Sequence, residues 1–397
     1  MQPLPTIPDD QEHLPSLLAA DAQELSYQLQ LHQQKIFQPL SQKTIRAFTP
    51  AEASAFIGIG EGYLRQVAAD GHGPEPLSNG RRLYTVEDMD RIRRVLDEKS
   101  GGAKYVPARR PNEKLQIISV MNFKGGSGKT TTAAHLSQYM ALRGYRVLAI
   151  DLDPQASLSA LFGHQPELDV GDSETLYGAI RYEDPRPIAD IVRATYTPNL
   201  HIIPGNLELM EFEHETPKAM SSGSAETMFF ARIGEALTDI ESFYDVVIID
   251  CPPQLGFLTM SALCAATSVL ITVHPQMLDV MSMSQFLTMT SELMSVVEKA
   301  GGRTSYDWMR YLVTRFEPND GPQSQMTGFM RAIFGNRMLQ NAMLKSTAVS
   351  DAGVTKQTLY EVERSQFTRG TYDRAMDALN LVNAEVEAHI RSTWGRK

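Results

Sequence analysis

The sequence predicts an α/β fold, a mostly parallel sheet flanked by helices, joined to a smaller all-helical unit at the N-terminal side. Three observations lead there. Apolar, largely β-branched runs at 117–121, 246–250 and 268–273 lack polar alternation, as strands buried on both faces do. A glycine-rich loop separates the first of these runs from a helix-compatible segment. The first hundred residues instead carry helix caps and turn glycines.

With 397 residues, the chain is long enough for a main domain plus an appendage. Apolar residues make up 42% and charged residues 21%, a globular composition. A net charge of −10 argues against a generally basic coat but leaves room for local basic patches. Cys251 and Cys264 are too few for a disulfide framework and suggest a reducing compartment. No apolar run approaches a membrane span, so a cytoplasmic protein is expected.

Residues 1–13 are acidic and proline-rich and read as a flexible leader. Over 14–45, Leu18, Ala22, Leu25, Leu29, His32 and Ile36 alternate at four- and three-residue steps, a short a/d seam suited to a dimerisation helix or to packing on its own domain. In the unit 46–105, Thr49-Pro50-Ala51-Glu52 reads as a capped helix start. Gly58 to Gly60 makes a turn, and a second helix follows over 61–69, which is helix-turn-helix spacing. Arg81 and Arg82 then fall on an expected small hairpin, and Thr85 caps another helix. The arrangement resembles a winged helix-turn-helix of the MerR type, which implies Tyr63, Arg65 and Gln66 on the recognition helix and Arg81 and Arg82 on the wing. Ten Lys/Arg against six Asp/Glu between 81 and 114, Arg91, Arg93 and Arg94 among them, add to a DNA reading. The glycines at 101–102 and the prolines at 107–111 read as a linker into the main domain, 106–397.

That domain opens on Lys124-Gly125-Gly126-Ser127-Gly128-Lys129-Thr130-Thr131. Glycines let a backbone turn tightly and aim several N–H groups at phosphate oxygens. Lys129 can reach the same oxygens, Thr130 can offer a hydroxyl to Mg²⁺, and the next helix points its positive end at the site. Asp151 and Asp153, in the string DLDPQ, follow a strand at 146–150. Carboxylates placed there suit a metal's water shell or an attacking water. Leu200 to Pro204 reads as a strand, and 213–224 as a polar surface loop. Short helical pieces are expected at 178–181 and 188–194. Asp250 ends the strand at 246–250 as a metal-binding candidate, before the stiff pair Pro252-Pro253. Cys251 is read as a small buried neighbour. His274 follows the next strand, a Met-rich helix is expected over 277–297, and a last strand at 311–316 brings Arg315 and Asn319 toward the nucleotide. Helices at 323–334 and 372–390 close the chain.

The KGGxGKTT string, the DxDPQ string and the strand ending in Asp250 together resemble the deviant Walker A, P-loop NTPases of the ParA/MinD group. The N-terminal extension resembles that of its large plasmid members, the RepA-type proteins of repABC plasmids. The resemblance implies ATP/ADP and Mg²⁺ as cofactors, with Lys124 reaching across a homodimer to the partner's phosphates. Asp153 is then tied to hydrolysis, Asp151 to the metal and Asp250 to the Walker B role. It also implies non-specific DNA binding in the ATP state through Arg337, Lys345, Lys356, Arg364 and Arg369, which would make the protein nucleoid-associated. The resemblance further implies that a centromere-binding ParB/RepB-type partner stimulates hydrolysis and that operator DNA is bound for autorepression. The alternative is a nucleotide-switched repressor with little motor role. A nitrogenase-reductase-like carrier fits poorly, because Cys251 and Cys264 lack the cluster-ligand context. A membrane ATPase fits poorly too, because HIRSTWGRK lacks a long apolar face.

Overall fold

The computed structural model describes residues 14–36, 43–102, 104–222 and 228–396. The leader 1–13 lies outside them, as do the side chains of Leu29, His32 and Ile36 in the expected seam. Seven strands form one sheet in the order β3-β4-β2-β5-β1-β6-β7. They are β1 (Gln116–Met121), β2 (Val147–Asp151), β3 (Arg193–Ala194), β4 (Leu200–Ile203), β5 (Val246–Asp250), β6 (Ser268–Val273) and β7 (Trp308–Val313). All neighbours pair in parallel except β3 with β4. The edge strand β3 falls where a helical piece is expected at 188–194; a 3-10 turn, Ile188–Ile191, takes the first half only.

Alternate residues of each central strand feed two cores. Ile118, Val120, Ala149 and Ile248 face one side, and Ile117, Met121, Ile150 and Ile249 the other. The N-terminal helices α1 (Leu14–Ile36), α2 (Pro50–Ile57), α3 (Glu61–Val67) and α4 (Val86–Ser100) precede the sheet. Both expected caps are present: Thr49 with Glu52, and Thr85 with Asp88, each form a capping box. Phe48, Phe56, Leu64, Met89 and Ile92 join the first core, against Tyr139 and Tyr360.

Three further features depart from the sequence reading. The segment expected as a small hairpin around Arg81 and Arg82 is a loop: Phe48 and Tyr84 form an isolated bridge, and the Leu77 N–H donates to the Arg81 carbonyl at 2.7 Å. Arg93 does not face solvent; it is 1% exposed, and its guanidinium donates to the Phe56 and Leu142 carbonyls and pairs with Asp90. The segment 213–224, expected as a loop, is helical through Ser222, within Met210–Ser222. Burial of Phe212, Thr216 and Ala219 offsets the bond that Pro217 cannot make.

Candidate nucleotide site

The site lies at the C-terminal ends of β1, β2 and β5, where open α/β sheets leave a crevice. After β1 the chain turns through the loop 122–128 into α5 (Lys129–Arg143). Gly126 and Gly128 adopt left-handed φ values of 75° and 85°. At Gly128 an added Cβ would also lie 3.3 Å from Cβ of Thr314, so shape and conformation both require glycine there. Asn122 braces the loop: its amide donates to the Thr272 carbonyl at 2.5 Å and its carbonyl accepts from the Lys124 N–H at 3.0 Å. Gly125 is exposed, Ser127 is buried with its hydroxyl accepting from that of Thr272, and Thr130 and Thr131 are half-buried at the start of α5. The 15-residue helix aims its unpaired N–H groups at the loop.

Lys129 is 6% exposed and donates to the Lys124 carbonyl at 3.3 Å. Burial lowers its pKa, while Asp250 and Asp153 pull it back up. β2 and β5 run in register with Asp151 opposite Asp250, so two buried carboxylates sit side by side. Burial raises Asp151 to about 7, against the hydrogen bonds from Ser159. It raises Asp250 well above the carboxylate range, with Asp151 adding to the effect.

The two carboxylates differ in what they have left to bind. Asp151 Oδ2 accepts from both the N–H and hydroxyl of Ser159 at 2.7 Å, and Oδ1 from the Asp153 N–H at 3.3 Å. Among the described residues, no backbone N–H or cationic side chain hydrogen-bonds either oxygen of Asp250, and the Thr130 hydroxyl is the group that bears on it. A buried carboxylate bonded by no cationic side chain, beside the Thr130 hydroxyl, fits a hydrated divalent cation. Among the described residues, no cluster of three or more His, Cys, Asp or Glu side chains makes an all-protein metal cage. Asp153 is half-buried, its carboxylate accepting from the Gln155 N–H at 3.0 Å.

Lys124 is 46% exposed at its side chain and forms an ion pair with Asp279, which His274 also contacts at 3.1 Å. Asp279 was not evident from the sequence, because nothing in its neighbourhood marks it. Ser159 was missed as well, although it ties Asp151 to Gly205, whose N–H reaches its hydroxyl at 2.9 Å. Glu213 is a third: its carboxylate accepts the Phe257 and Leu258 N–H groups, each at 2.9 Å, and caps the helix that follows Pro252-Pro253.

The expected DNA-contacting residues are dispersed. Tyr63, Arg65 and Gln66 share the exposed face of α3, with Arg65 paired to Glu61. Arg81 is exposed, whereas Arg82 donates to the Pro74 carbonyl at 2.9 Å. Arg337 is exposed, its guanidinium 5.8 Å from the Phe334 ring centre. Lys345 pairs with Glu317 at 2.9 Å, and Arg364 and Arg369 share Asp373. Lys356 is half-buried, and its carbonyl accepts from Lys43.

Residues 115–300 match a family model described as an AAA domain. A Rhizobium rhizogenes protein that carries the name replication protein A is 61% identical over 390 residues, covering 96% of each chain. The chain belongs to the ParA-type family of plasmid partition proteins. Protein SopA of Escherichia coli strain K12 is 27% identical to this ParA-type chain over 366 residues, 90% of this chain and 92% of SopA. A solved structure named Partition Protein superposes with a TM-score of 0.63 at 17% identity, covering 97% of this chain and all of its own. That likeness extends the shared fold across the N-terminal helices as well as the sheet. Among the described residues, no helix is long and apolar enough to cross a membrane.

Proposed function

We propose that the protein is an Mg²⁺-dependent ATPase that drives plasmid partition as a homodimer and represses its own operon through operator DNA. The observation that carries the ATPase reading is the buried Asp250 carboxylate, held by no backbone donor among the described residues and set beside Thr130 and Lys129 at the start of α5. Mg²⁺, when bound, would supply neutralisation of phosphate charge. Thr130 and Asp250 would hold its shell, with Asp151 fixing the adjoining loop. Lys129 stabilises negative charge that builds on the transferred group. Asp153 orients the attacking water. Lys124 leaves Asp279 and reaches the phosphates of the partner subunit. ATP then favours the closed dimer, which binds DNA without sequence preference through the C-terminal basic residues, and a ParB/RepB-type protein accelerates hydrolysis. The exposed face of α3 reads operator bases.

The test is ATP turnover of the purified chain, alone and with non-specific DNA and the neighbouring ParB-type protein. Slow basal turnover, raised by both together and lost in Lys129→Ala, is expected. Absence of stimulation together with tight, ADP-dependent binding to its own promoter would replace the partition reading with that of a nucleotide-switched repressor.

A further inference from the structure

The corner where β7 ends touches the phosphate loop through two consecutive side chains. Thr314 donates its hydroxyl to the Ser127 carbonyl at 2.7 Å. Arg315 donates Nη1 to the Gly126 carbonyl at 3.0 Å. Consecutive residues of a strand point to opposite faces, so a straight strand could not set both on one loop. Arg315 has φ +53°, the left-handed region, which brings its side chain onto the same loop as that of Thr314. A non-glycine residue in that conformation carries strain that its surroundings must hold in place. Among the described residues no carboxylate pairs with Arg315, although it is exposed. Its one hydrogen bond among those residues goes to the loop backbone.

In a trans peptide the C=O and the following N–H point in opposite directions. Fixing the Gly126 carbonyl therefore fixes the direction of the Ser127 N–H, and fixing the Ser127 carbonyl does the same for the Gly128 N–H. These are the donors a phosphate group needs from such a loop. We infer that Thr314 and Arg315 form a clamp that pre-orients the phosphate-loop amides, with Arg315 a positioning residue for nucleotide di- and triphosphates. The inference rests on the ATP-site reading above. The clamp acts on binding shared by ATP and ADP, because both present a β-phosphate to the loop. Pre-organised donors contribute mainly through the reorganisation they avoid.

The experiment measures the affinities of fluorescent ATP and ADP analogues, the steady-state KM and kcat, and the Tm of the nucleotide-free full-length protein. Arg315→Gly keeps the left-handed backbone and removes the guanidinium. Thr314→Val keeps shape and burial and removes the hydroxyl. Each should weaken both nucleotides by about tenfold, as loss of one such hydrogen bond does. KM should rise more than kcat falls, and Tm for Arg315→Gly should stay level or rise. Arg315→Lys, which restores a donor, should recover part of the affinity. Affinities within twofold of wild type in both Arg315→Gly and Thr314→Val would overturn the clamp. A wild-type protein that binds neither analogue would instead overturn the ATP-site reading.

Discussion

His135 lies in the second turn of α5, beyond the phosphate loop, with both ring nitrogens engaged. Nδ1 donates to the Thr131 carbonyl at 2.7 Å, and Nε2 accepts from the Leu359 N–H at 3.1 Å, which requires the neutral ring. Complete burial pushes its pKa down to about 4. A histidine whose folded pKa lies below its unfolded value adds stability that is full above the unfolded pKa, near 6.5. That stability is lost as pH falls through the folded value. The loss for this one residue is on the order of 2–3 kcal/mol. His164, also pushed to about 4 by burial, acts in the same direction. Thermal unfolding from pH 8 to pH 4.5 should therefore show Tm falling steeply below about pH 6.5. His135→Gln should lower Tm at pH 8 but flatten that fall. Parallel curves for the two proteins would remove His135 as a cause. Little of this was legible in the sequence, since a histidine on a helix gives no sign of what faces it from 224 residues away.

Among the elements, the sheet and the phosphate loop were readable because their signals are local. A short apolar run rich in β-branched residues reads as a strand covered on both faces, and a lysine after glycines has few other uses. Thr49 and Thr85 announced their helices for the same reason: a cap and its reciprocal carboxylate lie three residues apart. Arg93 was misread because its partners come from elsewhere in the chain. In the sequence it stands in a positive segment; in the fold it is 1% exposed and lies against Gly144, where a Cβ would come within 3.0 Å of Nη1. Arg93→Met should leave the Leu142 carbonyl without that donor and cost roughly 3 kcal/mol. The Phe56 carbonyl is less affected, since Arg143 also reaches it, at 2.6 Å. Limited proteolysis should then cut within 58–105 faster than in wild type, while nucleotide affinity changes little. An unchanged cleavage pattern would show that α4 is held by its apolar face alone.

At the scale of the molecule, the described side chains of α1 join neither core. Leu14, Leu18 and Leu25 are 63%, 59% and 61% exposed, and Tyr27 is 55% exposed, on a helix of 23 residues. α2 to α4, by contrast, share a core with the sheet. Isolated helices of this length gain most of their stability from packing, so a helix whose Leu18 and Leu25 have no cover among the described residues calls for a partner. A second α1 supplies the same seam and the same length. On the proposed reading, two modes of dimerisation are expected: one through α1, independent of nucleotide, and one through the phosphate loops, dependent on ATP. Removing residues 1–36 should separate them. By light scattering, the full chain should be dimeric without nucleotide and the truncated chain monomeric, and the truncated chain should return to a dimer only with ATP and Mg²⁺. ATP turnover per chain should survive at high protein concentration and fall on dilution more steeply than in wild type, because α1 no longer holds two ATPase domains at a high effective concentration. A full-length chain that is monomeric without nucleotide would refute the dimerisation helix. A truncated chain that dimerises without ATP would place the constitutive contact elsewhere in the fold.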